Sequence, residues 1–168
     1  IDEEVWASKY NDDELGLVLG DQLFDATAAL ESLPPLTWPI PHGDHLIANL
    51  DALRPAIEHA AGDSHPVPVG SVVLKSPVAN PSKIIGAPVN YHKHMEEARA
   101  DAEINLGRDI KTIDTYGLFM KANSSLVGPG EGVALRFDDR RNDHEVELAV
   151  IIGEGGSDIA EADAMGHI

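Results

Sequence analysis

The stretch Asp143-His-Glu-Val-Glu-Leu-Ala-Val-Ile-Ile152 constrains this chain more than any other, because it threads acids into an apolar run. In an extended segment side chains alternate faces, so Glu145 and Glu147 share one face, with Cα atoms roughly 6.5–7 Å apart. Ala149 and Ile151 continue that face, which puts the two glutamates where a β-strand over residues 145–152 passes from open to buried. Two ionised carboxylates converging on one spot repel each other unless a cation or protons intervene. A hard divalent ion such as Mg²⁺, Mn²⁺ or Ca²⁺ relieves that repulsion, since it takes oxygen ligands at distances such a pair spans. Glu-x-Glu also suits an exposed strand face with its acids in water, and the apolar continuation is what separates the two cases.

Charge is distributed unevenly. The 168 residues carry 12 Lys and Arg against 29 Asp and Glu, a formal charge of −17, which argues against a general affinity for nucleic acid or anionic membrane. Residues 1–53 hold 11 acids and one base, residues 75–141 hold nine acids and ten bases, and residues 142–168 hold seven acids and no base. The N-terminal clusters Asp2-Glu3-Glu4 and Asp12-Asp13-Glu14 read as solvated surface. The near-neutral middle suits an anionic ligand. With no cysteine, thiolate zinc sites, disulfides and cysteine nucleophiles are excluded, and the chain fits a reducing compartment, here expected to be the cytoplasm. No apolar run of membrane-spanning length and no export signal is visible.

Local patterns predict an N-terminal domain over residues 1–74 with a hairpin and a helix. Leu15 to Leu19 and Gln22 to Asp25 flank a Gly20-Asp21 turn. Leu46, Ile47, Leu50, Leu53 and Ile57 recur at helical spacing toward Ala61, with a kink or a restart expected at Pro55. Pro34, Pro35, Pro39 and Pro41 mark an irregular stretch, and Gly62 to Gly70 has linker composition. A second domain is expected over residues 75–168. Extended segments are predicted at Ser71–Leu74, Lys83–Gly86 and Leu118–Lys121, with a helix from about Tyr91 to Ile104. Another helix is predicted over Ser157–Met165, with Asp158 as its N-cap.

Within Asn90-Tyr-His-Lys-His-Met-Glu-Glu97, His94 and Glu97 are three apart on the expected helix and within reach of each other. A carboxylate beside an imidazole fixes its tautomer and raises its basicity, which suits a general base that activates water. His92 and Glu96 form an alternative pair at four-residue spacing. His92 and His94, two apart, do not face one another on a helix. A surface ion pair is the alternative reading of each combination.

Taken in order, Lys83-Ile-Ile-Gly-Ala-Pro-Val-Asn-Tyr91, His94-Met-Glu-Glu97, Gly117-Leu-Phe-Met-Lys-Ala-Asn-Ser-Ser-Leu-Val-Gly-Pro-Gly130 and Asp143 to Gly153 resemble the fumarylacetoacetate hydrolase family. The resemblance covers about residues 72–168. It implies an α+β fold of mixed, curled β-sheets, preceded by a small N-terminal domain, usually in homodimers, acting on C–C bonds beside carbonyl groups. It implies that Glu145 and Glu147 bind the metal, with Mg²⁺ expected and Mn²⁺ or Ca²⁺ possible. By the same resemblance His94 and Glu97 activate water on a lid helix, Lys121 lies near substrate and metal, and Asn90 and Tyr91 contact substrate.

The family's third metal carboxylate, an Asp, is expected some 15–20 residues past residue 168. Two departures stand out: Ala87-Pro88-Val89 replaces a glycine-containing turn, and residues 98–116 are longer and more polar than in compact members. The expected reaction is hydrolysis of a fumarylpyruvate- or acylpyruvate-like acid in aromatic catabolism. Decarboxylation or isomerisation of a related dicarboxylate is the alternative, and a non-catalytic metal- or metabolite-binding domain is a third reading.

Overall fold

In the computed structural model, residues 14–168 are described in full and Glu4–Lys9 by their backbone. The acids Asp2, Glu3, Asp12 and Asp13 lie outside the described residues. Glu14, the last of the acidic clusters, is half-buried. Two units form, Ile1–Asn80 with Val127–Ile168, and Pro81–Leu126.

The first unit is organised by a stripe of apolar residues four apart. Leu53, Ile57 and Ala61 are the buried side chains of α1 (Leu50–Asp63), and they join one core with Leu15, Leu17, Ala26 and Ala29. Pro55 lies inside α1 and does not end it. It sits on the exposed face, so the carbonyl one turn back that loses its N–H partner is on the solvent side and the buried stripe is untouched.

Leu15 and Leu17 come from β2 (Glu14–Leu19), the second strand of an antiparallel sheet ordered β1 (Glu4–Lys9), β2, β3 (Gln22–Asp25), β4 (Val67–Pro68). In the β2–β3 hairpin Leu19 faces Gln22, and Gly20 takes a φ of 61°, which glycine adopts without a Cβ clash. The segment of linker composition supplies β4, an edge strand in which proline sacrifices little.

A 3-10 helix over Thr27–Ser32, not expected from the sequence, follows β3. Thr27 Oγ1 accepts the Leu15 N–H at 3.0 Å, and the Asp25 carboxylate accepts the Thr27 N–H at 2.9 Å. Asp44 ties a distant segment to the approach to α1: its carboxylate accepts N–H groups from Ile47 at 3.1 Å, Ala79 at 2.7 Å and Asn80 at 2.9 Å.

Three local expectations are corrected. Residues 145–152 are not a strand: they are joined to no ladder among the described residues, and the face expected to become buried through Ala149 and Ile151 is exposed, as are Val146 and Leu148 at 93% and 81%. An apolar alternating segment becomes a strand only when a neighbour takes up its backbone hydrogen bonds. The helix expected over 157–165 is a 3-10 helix over Glu161–His167, because Asp158 has a φ of 54°, outside the extended range of an N-cap. Its end folds back, with the Gly153 N–H donating to the His167 carbonyl at 2.9 Å. The Ser71–Leu74 extended segment opens with a 3-10 turn over Val69–Ser71.

Residues 127–131 are fastened to the Leu74–Lys75 backbone. Gly128 is buried there, and a Cβ on it would collide with the Lys75 main chain, which no side-chain movement relieves. The Gly130 N–H donates to the Leu74 carbonyl at 3.0 Å. Lys75 Nζ donates to Glu131 Oε1 at 2.7 Å, and the Gly128 N–H donates to Glu131 Oε2 at 2.7 Å.

The second unit holds a two-stranded antiparallel sheet, β5 (Ile84–Gly86) with β6 (Phe119–Lys121), and three helices: α2 (His92–Ala100), α3 (Ala102–Asn105) and α4 (Ile113–Tyr116). The single helix expected from Tyr91 to Ile104 is divided at Asp101. That residue has an extended ψ of 110°, and its carboxylate caps α3 by accepting the Glu103 and Ile104 N–H groups. Every strand pairing among the described residues is antiparallel, in an α+β arrangement of small open sheets. No helix among the described residues is long and apolar enough to cross a membrane.

The Lys75 ammonium, followed by the Gly128 N–H, holds the Glu131 carboxyl below the usual glutamate range. A carboxylate lowered in the folded state adds stability above its unfolded pKa, about 4.3, and that contribution fades as pH falls through the folded value. Glu131→Gln is therefore expected to lower the thermal midpoint near pH 7. The gap to the parent protein should narrow steadily below about pH 4.3 in melts monitored by circular dichroism. A gap that stayed constant with pH would show that Glu131 acts through packing alone.

Candidate active site

Glu145 and Glu147 stand close to each other outside any strand. Each presents a carboxylate oxygen within 4.8 Å of the other's, and both residues are exposed. Two hard oxygen donors at that separation fit a divalent cation, whose metal–oxygen distances are about 2.0–2.6 Å. The segment leading into the pair is held by its own contacts. Arg141 Nε donates to the Asp143 carboxylate at 2.8 and 3.0 Å, and the Asn142 amide donates to the Phe137 carbonyl at 3.2 Å. The Phe137 ring takes the Arg140 guanidinium at 4.0 Å and that of Arg136 at 5.4 Å from its centre.

His94 and Glu97 both lie on α2, three residues apart and so on one side of it, with His94 half-buried and Glu97 exposed. His92 and Glu96, the alternative pair, are both exposed. Asn90 and Tyr91 precede the helix and are exposed, Tyr91 in extended conformation at the N-cap position. The turn into them is unusual. Val89 has a φ of 48°, a conformation that glycine reaches freely and a β-branched residue only under strain. The departure Ala87-Pro88-Val89 thus sets a left-handed backbone at a non-glycine residue.

Lys121 ends β6, on the same strand face as Phe119, and its ammonium lies 5.7 Å from the Phe119 ring centre. Gly86 faces Phe119 across the sheet, and the ring occupies the space a Cβ would take there. This glycine therefore sets where the ring, and the lysine beside it, can lie. Sequence reasoning singled out Lys121 and missed Phe119 and Gly86, whose relation appears only once the register of β5 and β6 is known. A cavity of about 360 Å³ beside Gly16, Leu23 and Val72 includes none of these residues.

With this geometry in place, the profile of the family described as Fumarylacetoacetate (FAA) hydrolase C-terminal matches residues 83–168. The chain belongs to the fumarylacetoacetate hydrolase family. Maleylpyruvate hydrolase of Aquipseudomonas alcaligenes is 48% identical over 162 residues, 95% of this chain and 56% of that protein. Mitochondrial oxaloacetate tautomerase of Homo sapiens is 33% identical over 102 residues, 61% of this chain and 29% of that protein. The crystal structure of maleylpyruvate hydrolase from Sphingobium sp. SYK-6, in complex with manganese(II) ion and pyruvate, superposes with a TM-score of 0.65 at 34% identity. It covers 95% of this chain and 53% of that one. The chain thus spans about half the length of the maleylpyruvate hydrolases it matches.

Gly86→Ala is expected to push the Phe119 ring out of its place over β5, with a loss of about 0.2–1 kcal/mol from the cross-strand pair. Thermal unfolding together with the ring-proton shifts of Phe119 measures it. Unmoved ring shifts would show that the glycine does not set the ring position.

Proposed function

We propose that this chain belongs to a divalent-metal-dependent hydrolase that cleaves a C–C bond in a 2-oxo or 1,3-dicarbonyl acid of the maleylpyruvate or fumarylpyruvate type, in aromatic catabolism. The observation that carries this reading is the 48% identity to a maleylpyruvate hydrolase across 95% of the chain. The convergent Glu145 and Glu147 carboxylates support it, as the donor pair such a reaction needs. On this reading the catalytic region is residues 75–168, in the family's fold of mixed, curled sheets, and residues 1–74 form a smaller N-terminal domain. The protein acts as a homodimer in the cytoplasm.

Glu145 and Glu147 would hold the cation, Mg²⁺ by preference and Mn²⁺ as the alternative; bound there, it supplies Lewis-acid polarisation of a carbonyl and stabilises enolate charge. His94 takes a proton from water while Glu97 orients its imidazole. The hydroxide oxygen forms a bond to the carbonyl carbon. The C–C bond then breaks, its electron pair passing to the departing 2-oxo acid as an enolate, which regains a proton from the imidazolium. Lys121 places its ammonium beside the developing oxyanion. Asn90 and Tyr91 bind the substrate's polar ends.

Keto–enol isomerisation is the second reading, favoured by the 33% identity to an oxaloacetate tautomerase. Both reactions use the carboxylate pair; only hydrolysis consumes activated water.

Pyruvate release from maleylpyruvate, followed through lactate dehydrogenase with Mg²⁺ or Mn²⁺ present, tests the assignment. Glu145→Ala is expected to cut turnover by more than about a hundredfold with the fold intact by circular dichroism, since even groups that merely orient a metal ligand are worth about 10- to 100-fold. Turnover unchanged in that variant would remove the metal assignment. His94→Ala is expected to lower hydrolytic kcat by roughly 10²–10⁴. Tautomerisation of oxaloacetate by the parent protein, with no pyruvate formed from maleylpyruvate, would favour the second reading.

A further inference from the structure

Helix α2 is short. It is nine residues long, shorter than the length at which an isolated helix persists in water, and it has no side-chain cap at its N-terminus. Ala98 is its single buried side chain. Its C-terminal end, by contrast, is tied twice to the polar extension that follows. The Arg99 guanidinium donates to the Ile110 carbonyl through Nε at 3.3 Å and through a terminal nitrogen at 3.0 Å. In return, the Arg99 carbonyl, one of the last in the helix and without an intrahelical donor, accepts the Asn105 side-chain amide at 2.8 Å.

The extension is itself held by short-range contacts. Asp101 caps α3, Asn105 Oδ1 accepts the Gly107 N–H at 2.8 Å, and the Tyr116 hydroxyl accepts the Lys111 N–H at 3.3 Å. One side chain thus spans eleven residues to join α2 to a braced loop, and it stands five residues after His94.

We infer that Arg99 is a positioning residue: its hold on the Ile110 carbonyl fixes α2 and thereby the imidazole of His94. This rests on the proposal that His94 is the base. Arg99 touches no reacting atom. Its effect on the reaction passes through the helix, and the extension over residues 101–116 serves as the anchor for that helix. Lysine replaces the planar fork with a single ammonium, so Arg99→Lys keeps the charge and loses the two-point grip.

The test uses the whole protein with Mn²⁺ and maleylpyruvate. Arg99→Ala is expected to lower kcat roughly tenfold to a hundredfold, the scale of an ångström's misplacement, with KM and Mn²⁺ affinity within about twofold of the parent. Arg99→Lys should recover part of the loss. In a His94→Ala background, which is itself expected to be strongly impaired, Arg99→Ala should add less than about twofold, because there is no longer a base to misplace. Hydrogen exchange should quicken at the amides of His92–Ala100 and stay unchanged in Leu50–Asp63.

Equal losses with and without His94, or unchanged exchange in α2, would overturn the inference while leaving the His94 assignment standing. Full hydrolytic turnover in His94→Ala alone would overturn that assignment, and the inference with it.

Discussion

The closure of Leu53, Ile57 and Ala61 over Leu15 and Leu17 is the packing on which the first unit depends. Ile57 is fully buried, and the helix that carries it, the hairpin beneath it and the 3-10 helix after β3 all contribute to one core. Hydrophobic burial is worth about 25 cal/mol per Å² and is the largest favourable term available to a chain of ordinary composition. Where that core ends, polar ties take over. Asp44 gathers three N–H groups, and Lys75 with Glu131 holds the Gly128 turn to the backbone beside it. These contacts add little burial, and they fix where the chain goes between the core and residues 127–131.

What the sequence revealed follows from the range of the interaction that writes each signal. The hairpin was readable because a two-residue turn needs a left-handed residue, and Gly20 sits between two alternating segments. Helix α1 was readable because its buried residues recur every four positions. The break in the expected helix at Asp101 has a local cause, but cap and continuation carry similar residues, so periodicity ran through it. Residues 145–152 carry a strand's pattern in full. A ladder depends on a second segment, and no pattern within ten residues specifies one. Lys75 and Glu131 stand 56 positions apart, and neither residue type announces the other.

The candidate site divides along the same line. Glu145 and Glu147 were legible because two carboxylates two residues apart mark a donor pair whatever the backbone does, and His94 with Glu97 because three-residue spacing puts both on one side of a helix. Phe119 over Gly86 depends on strand register. Arg99 on the Ile110 carbonyl depends on a main-chain acceptor, which has no residue identity to read. Side chains that act on substrate tend to advertise themselves through chemistry and spacing, whereas those that hold them in place often act on backbone and leave no motif.

That difference bears on how one family supports several reactions. In the proposed mechanism, a cation held by Glu145 and Glu147 would answer the requirement that hydrolysis and tautomerisation share, stabilisation of enolate charge on an oxo acid. It does not distinguish them. The distinction lies in whether water is held and deprotonated at the moment the carbonyl is polarised, and in the proposed mechanism that task belongs to His94. On the proposed mechanism, a base displaced by an ångström leaves the carboxylate pair in place and fails in the attack of water and in the return of the proton to the enolate. On that mechanism the residues that hold α2 bear on the type of reaction, whereas the carboxylate pair serves both reactions alike. In this chain Arg99 and Asn105 make those ties, to the Ile110 carbonyl and to the Arg99 carbonyl.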